Sequence, residues 1–135
     1  MPAAPRVQLG TAANFRYAMP MARMIYKAVP APMWQEAKSR DQWTGAPVDL
    51  ADGFIHFSTA EQLPETLAKH FAGQQDLLLV AIKADDLGGD LRWEVSRGGA
   101  LFPHLHAALR CDKVAWVEAL SMGPDGQHHL PERCT

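Results

Sequence analysis

The sequence predicts a single α+β domain, and three stretches carry that expectation. Leu77-Leu78-Leu79-Val80-Ala81-Ile82 is a continuous apolar run of strand length. Phe54-Ile55-His56-Phe57-Ser58 follows a two-residue period, with Phe54, His56 and Ser58 on one face and Ile55 and Phe57 on the other. Leu63, Leu67 and Phe71 recur every four residues, as the buried stripe of a helix does. A chain of 135 residues, 47% hydrophobic and 21% charged, holds one real core and is too short for two ordinary domains.

Residues 1–23 read as a flexible extension, because Pro2, Pro5, Gly10 and Pro20 interrupt any helix. The domain is expected over 24–122. Met24 to Val29 forms a first strand that Pro30 stops, and Pro32 then opens a short helix carrying Trp34 and Ala37 that ends near Arg40. Residues 41–52, with Gly45, Pro47 and three aspartates, read as loop. The strand over Gly53 to Ser58 runs into Ser58-Thr59-Ala60-Glu61-Gln62, where two capping-box spacings overlap and predict a helix start. Gly73 is placed to close that helix. The run at 76–83 is a central strand, 85–90 a turn, Leu91 to Val95 a strand, and Lys113 to Leu120 the last strand. Residues 123–135 read as a polar tail.

The charge pattern excludes several partners. Arg6, Arg16 and Arg23 sit in an acid-free N-terminus, so the rest carries ten basic against fifteen acidic groups. Such a body lacks the basic stripe that phosphate-backbone binding needs, which argues against generic nucleic-acid binding. Two cysteines, Cys111 and Cys134, with no framework around them fit a reducing cytoplasm. No apolar run approaches the roughly 20 residues of a membrane span.

Candidate chemistry gathers in the fourteen residues from Trp93 to His106. Arg97, followed by Gly98-Gly99, matches a phosphate or carboxylate, with the alternative that it pairs with Glu94 as a turn arginine. Glu94 is a candidate acid-base group and equally a solvated strand-end carboxylate. His104 and His106, spaced to share one strand face, offer a pair of metal ligands to which His56 adds a third. The same histidines, His56 and His104 above all, suit general acid-base work, against the plain alternative of core histidines bonded to backbone. Ser58 and Thr59 are caps whose backbone N–H groups face a ligand, rather than nucleophiles. Phe102 is an aromatic that packs in the core or stacks on a flat ring.

Three motifs together, Ile25-Tyr26-Lys27, Asp52 through Gln62, and Trp93 through Gly99 followed by Phe102-Pro103-His104-Leu105, resemble the bacterial domain-of-unknown-function family nine-five-two over about residues 24–120. That resemblance implies an ADP-ribosyltransferase-like fold, two split antiparallel sheets with two short helices around a nicotinamide-nucleotide cleft. It places Tyr26 or Lys27 at the first functional position and His56 at the second. At the third, near Phe102-Pro103-His104, no glutamate stands.

The functional expectation is a domain binding an NAD-like or other phosphorylated nucleotide, with NAD as candidate substrate. In it Tyr26, Lys27, Ser58, Thr59, Arg97, Gly98, Gly99 and Phe102 hold the ligand, and His56, His104 and Glu94 supply acid-base chemistry. The competing expectations are a non-catalytic module that has lost the transferase glutamate and a metal-dependent hydrolase built on His56, His104 and His106. No cofactor is assigned.

Overall fold

The computed structural model describes residues 23–134. The expected N-terminal extension lies outside them except for Arg23. A central antiparallel sheet is built from β1 (Met24–Pro30), β4 (Leu77–Lys83) and β8 (Val114–Ala119), in the order β1-β4-β8. The apolar run is therefore the middle strand. Its alternate residues enter two cores: Val80 and Ile82 join Ile25, Val29, Trp34 and Trp43 on one face, while Leu77, Leu79 and Ala81 join Tyr26, Leu63 and Leu67 on the other. Each such fully buried aliphatic contributes about 1.5–3 kcal/mol, so this strand anchors the fold.

Helix α1 (Ala31–Ser39) covers the first face with Trp34 and Ala37, and Pro32 sits in its opening turn as expected. Helix α3 (Leu63–His70) covers the second with Leu63 and Leu67. A second three-stranded sheet stands beside the first, formed by β3 (Ile55–His56), β6 (Leu101–Leu105) and β5 (Leu91–Val95) in the order β3-β6-β5. Tyr26 and Ser58 exchange backbone hydrogen bonds between the two sheets at 2.8 and 2.9 Å, and Ile55 and Leu105 of the second pack with Ile25, Val80 and Ile82 of the first.

Several expectations are corrected. The loop expected at 41–52 holds β2 (Gln42–Trp43), which pairs with β7 (Leu109–Arg110), and a six-residue helix α2 (Pro47–Asp52). There are thus three α-helices among the described residues rather than two. Pro47 in the first turn and Gly53, left-handed at φ 88°, bracket α2 and were its sequence signal. The strand expected over 53–58 pairs at Ile55 and His56, keeps one more bond to β6 from the Phe57 N–H to the Pro103 carbonyl, and then bridges Tyr26 of the other sheet through Ser58. Helix α3 begins at Leu63 and not at Ser58 or Thr59: Thr59 and Gln62 bond reciprocally, but they close a turn that precedes the helix. The expected polar tail folds back, with β9 (Ser121–Met122) pairing β10 (His128–His129), and Leu130 and Cys134 pack on the second core.

Candidate functional site

The face of the second sheet that turns away from the core carries the titratable residues. His56 stands opposite His104 in the β3–β6 register, and Glu94 of β5 stands opposite Phe102. The two-residue period puts Phe102, His104 and His106 in one row and Phe54, His56 and Ser58 in the next. The His56 and His104 rings meet edge to face with centroids 5.2 Å apart. Phe54 lies on His104 at 4.3 Å and approaches His56 and His106 at 4.7 and 5.0 Å.

Asp49 of α2, which the sequence placed in a loop, links β1 and β3. Its carboxylate is buried, and Oδ1 accepts from the Lys27 ammonium at 3.1 Å, the His56 backbone N–H at 3.1 Å and His56 Nδ1 at 2.6 Å. Oδ2 accepts the Ala46 N–H at 2.8 Å. A backbone N–H needs an acceptor, and one carboxylate satisfies that of His56. Burial alone would raise the Asp49 carboxyl, but the His56 hydrogen bond, then the Lys27 charge and the two backbone donors, bring it below the usual carboxylate range. Burial pushes the Lys27 ammonium down, against the pull of Asp49. The other nitrogen of His56, Nε2, meets Asp52 Oδ2 at 2.9 Å. Both nitrogens therefore face carboxylates.

His104 is set differently. Its Nδ1 donates to Glu94 Oε1 at 2.8 Å, and His106 Nε2 donates to the same oxygen at 2.9 Å. His104 is only 3% exposed, and burial lowers its pKa in spite of Glu94. Its Nε2 has no hydrogen-bond partner. In the neutral ring that atom is a free acceptor inside the protein. Hydrogen bonds from His106 and then His104 hold the Glu94 carboxyl below its ordinary value. Glu94 thus points onto the face and orients two histidines, and the expected Glu94–Arg97 pair does not form.

Arg97 lies at the far end of the same face. Its guanidinium stacks over Phe102 at 4.8 Å and donates to Thr66 Oγ1 at 2.9 Å, while Glu65 stands 3.8 Å from Nε. That Nε is buried without a hydrogen bond. Ser58 Oγ also meets Thr66 Oγ1, at 2.9 Å.

Other expected ligand groups are elsewhere or already engaged. Tyr26 lies in the second core against Trp116, on the opposite face of β1 from Lys27. The Ser58 N–H is bonded to Tyr26 and the Thr59 N–H to Gln62, so neither faces a ligand. Gly98 and Gly99 adopt φ of 68° and 79° in the β5–β6 turn, which explains the glycines by backbone conformation alone. Lys27 reaches the site only through Asp49. Among the described residues no group of three or more His, Cys, Asp or Glu is arranged to hold a metal ion. His56 bonds Asp49 and Asp52, while His104 and His106 share Glu94.

A cleft of about 230 Å³ opens at the other end of the row, between α2 and the 105–108 turn. Its walls include Thr44, Leu50, Phe54, His106 and Ala107. No helix of the described residues is long and apolar enough to cross a membrane.

Comparison with known proteins adds two findings. Two structures of protein CC0527 from Caulobacter crescentus are similar to this chain. The crystal structure shares 47% identity at a TM-score of 0.76, covering 78% of this chain and 93% of that one. The solution structure shares 48% identity at a TM-score of 0.71, covering 77% and 90%. No curated protein matches. The family model described as "Protein of unknown function (DUF952)" matches residues 28–117, two thirds of the sequence, and the chain belongs to that family.

Proposed function

We propose that the face of the second sheet carrying His56, His104 and Glu94 binds an NAD-like or other phosphorylated nucleotide and that His56 and His104 act on it as an acid-base pair. The observation that carries this reading is the contrast between two histidines with ring centroids 5.2 Å apart. His56 has a carboxylate at each nitrogen, Asp49 at Nδ1 and Asp52 at Nε2. His104 is desolvated and presents a bare Nε2. Neighbouring titratable groups in opposed environments make a donor and an acceptor. Arg97, with Nε unsatisfied, supplies the phosphate contact.

The split between the two sheets supports an ADP-ribosyltransferase-like reading of the fold. The carboxylate that the resemblance lacks at the third position has a counterpart in Glu94, which reaches His104 from the neighbouring strand. A second reading, a binding module without turnover, is favoured by Phe54, whose ring lies on His104 and restricts access to it.

Titration calorimetry with NAD, ADP-ribose and simple nucleotides tests the first reading. Binding that weakens at least about tenfold in Arg97→Ala is expected. No heat with any of them, or an unchanged affinity in the variant, overturns it. Chromatography for released nicotinamide separates the two readings, since a module binds without producing it.

A further inference from the structure

The face has two unlike ends, and their separation selects a class of ligand. At one end Arg97 stacks on Phe102 with a buried, unbonded Nε. At the other, beyond His106, lies the cleft of about 230 Å³. Leu50, Phe54, Ile55, Leu105 and Ala107 form its apolar walls, and Thr44, Asp49 and His106 its polar ones. It is smaller than the roughly 300–1,000 Å³ of sites for drug-sized ligands and matches one compact ring system. Between the ends Asp52 is 48% and Glu94 37% exposed at the side chain, beside His56 at 30% and exposed Arg92, which stands opposite His104. Ionised carboxylates only accept hydrogen bonds, which suits the hydroxyls of a sugar.

The distance follows from the strand. Phe102 and His106 are four residues apart, which at the strand rise is about 13 Å. A single nucleotide has that reach, with its base in the cleft, its sugar across Asp52 and Glu94, and its phosphate at Arg97. A dinucleotide has about twice that reach.

We infer that the site takes one nucleoside 5′-monophosphate unit, with the ring seated in the cleft beside His106 and the phosphate on Arg97. This rests on the phosphorylated-nucleotide reading above and adds the direction and extent of the ligand. The cleft end is a ring-recognition subsite, distinct from the phosphate end and separated from it by the two histidines.

Calorimetry on the full chain with adenosine 5′-monophosphate, ribose 5-phosphate and NAD tests it. Ala107→Phe and Leu50→Trp each fill the cleft from exposed positions, so that neither depends on repacking the core. Each is expected to weaken adenosine 5′-monophosphate about tenfold and to leave ribose 5-phosphate unchanged, with NAD no tighter than the monophosphate. Unchanged adenosine 5′-monophosphate binding in both variants overturns the subsite. So does NAD binding about tenfold tighter than the monophosphate, which requires a place for its second half. Absence of binding by all three ligands, or binding indifferent to Arg97→Ala, instead removes the nucleotide reading itself, and the subsite with it.

Discussion

His56 donates twice to a single oxygen of Asp49, through its backbone N–H at 3.1 Å and through Nδ1 at 2.6 Å. One carboxylate thereby fixes both where the strand runs and which way the imidazole turns. Because Lys27 donates to the same oxygen, the three residues tie β1, α2 and β3 together.

Asp49→Asn removes the charge and leaves the Lys27 ammonium buried without a counter-ion. Breaking a buried pair from one side costs about 3–5 kcal/mol, and a loss of that order is expected in denaturant unfolding. Lys27→Met removes the cation instead, and Asp49 keeps its His56 and Ala46 donors, so the loss should be smaller. Equal losses in the two variants would mean that Lys27, and not His56, is the main support of Asp49.

Stability should fall in two stages on acidification. The folded His104 titrates below its ordinary 6.5, so as pH drops through that value the unfolded chain binds a proton that the folded protein does not. The contribution is complete at higher pH and lost toward lower pH. Asp49 is also depressed, and what it contributes is present above the usual carboxylate value of 3.8 and is lost as pH falls through its lower folded value. His104→Gln should flatten the upper stage and leave the lower. Parallel urea midpoints for both proteins across about pH 7.5 to 5.5 would rule out His104 as the source.

Gly45 is confined by Asp49. Its φ is 117°, and a Cβ there would lie 2.6 Å from the Asp49 Cβ, a contact with no flexible end to give way. Gly45→Ala should therefore displace α2 and lower stability by more than the 1–2 kcal/mol of a simple left-handed penalty. Gly53→Ala is the control: φ is 88° but nothing lies within 4 Å, so only the backbone penalty applies. Thermal unfolding of both variants decides it, and similar melting temperatures would deny that the Gly45–Asp49 contact matters.

The strands and helices that follow simple periodicity were legible. Leu77 to Ile82 announces a central strand because both of its faces are buried, and the row of Phe54, His56 and Ser58 survives even though little of that segment is paired. Histidines spaced by two residues, His104 and His106, do share a face, and their common partner Glu94 sits one strand away. What stayed hidden was long-range. Asp49 looks like one of three loop aspartates, and only the placement of α2 beside β3 makes it the acceptor of the His56 N–H. Tyr26 sits beside Lys27 in sequence and faces the opposite core, a consequence of the pleat that adjacency in a motif conceals. Ser58 and Thr59 carry the right spacing for a cap, but the bridge to β1 takes the Ser58 N–H and Gln62 takes that of Thr59.

The C-terminal segment gives the last prediction. Polar composition made residues 123–135 look like a tail, yet Arg133 stacks on Trp116 at 4.2 Å and pairs with Glu118 at 2.5 Å, and His128 donates to the Gln74 carbonyl at 2.7 Å. Leu130 and Cys134 pack on the core that contains Tyr26 and Leu79, and Tyr26 is hydrogen-bonded to Cys134. Ending the chain after Met122 strips that cover from Trp116 and Tyr26 and removes the pairing partner of β9. Losing even about 2 kcal/mol from a domain of this size lowers the melting temperature by roughly 5–10 °C, and the emission of Trp116 should shift to the red as water reaches it. A truncated protein that melts within about 2 °C of the full chain, with unchanged tryptophan emission, would show that the segment lies on the domain without supporting it.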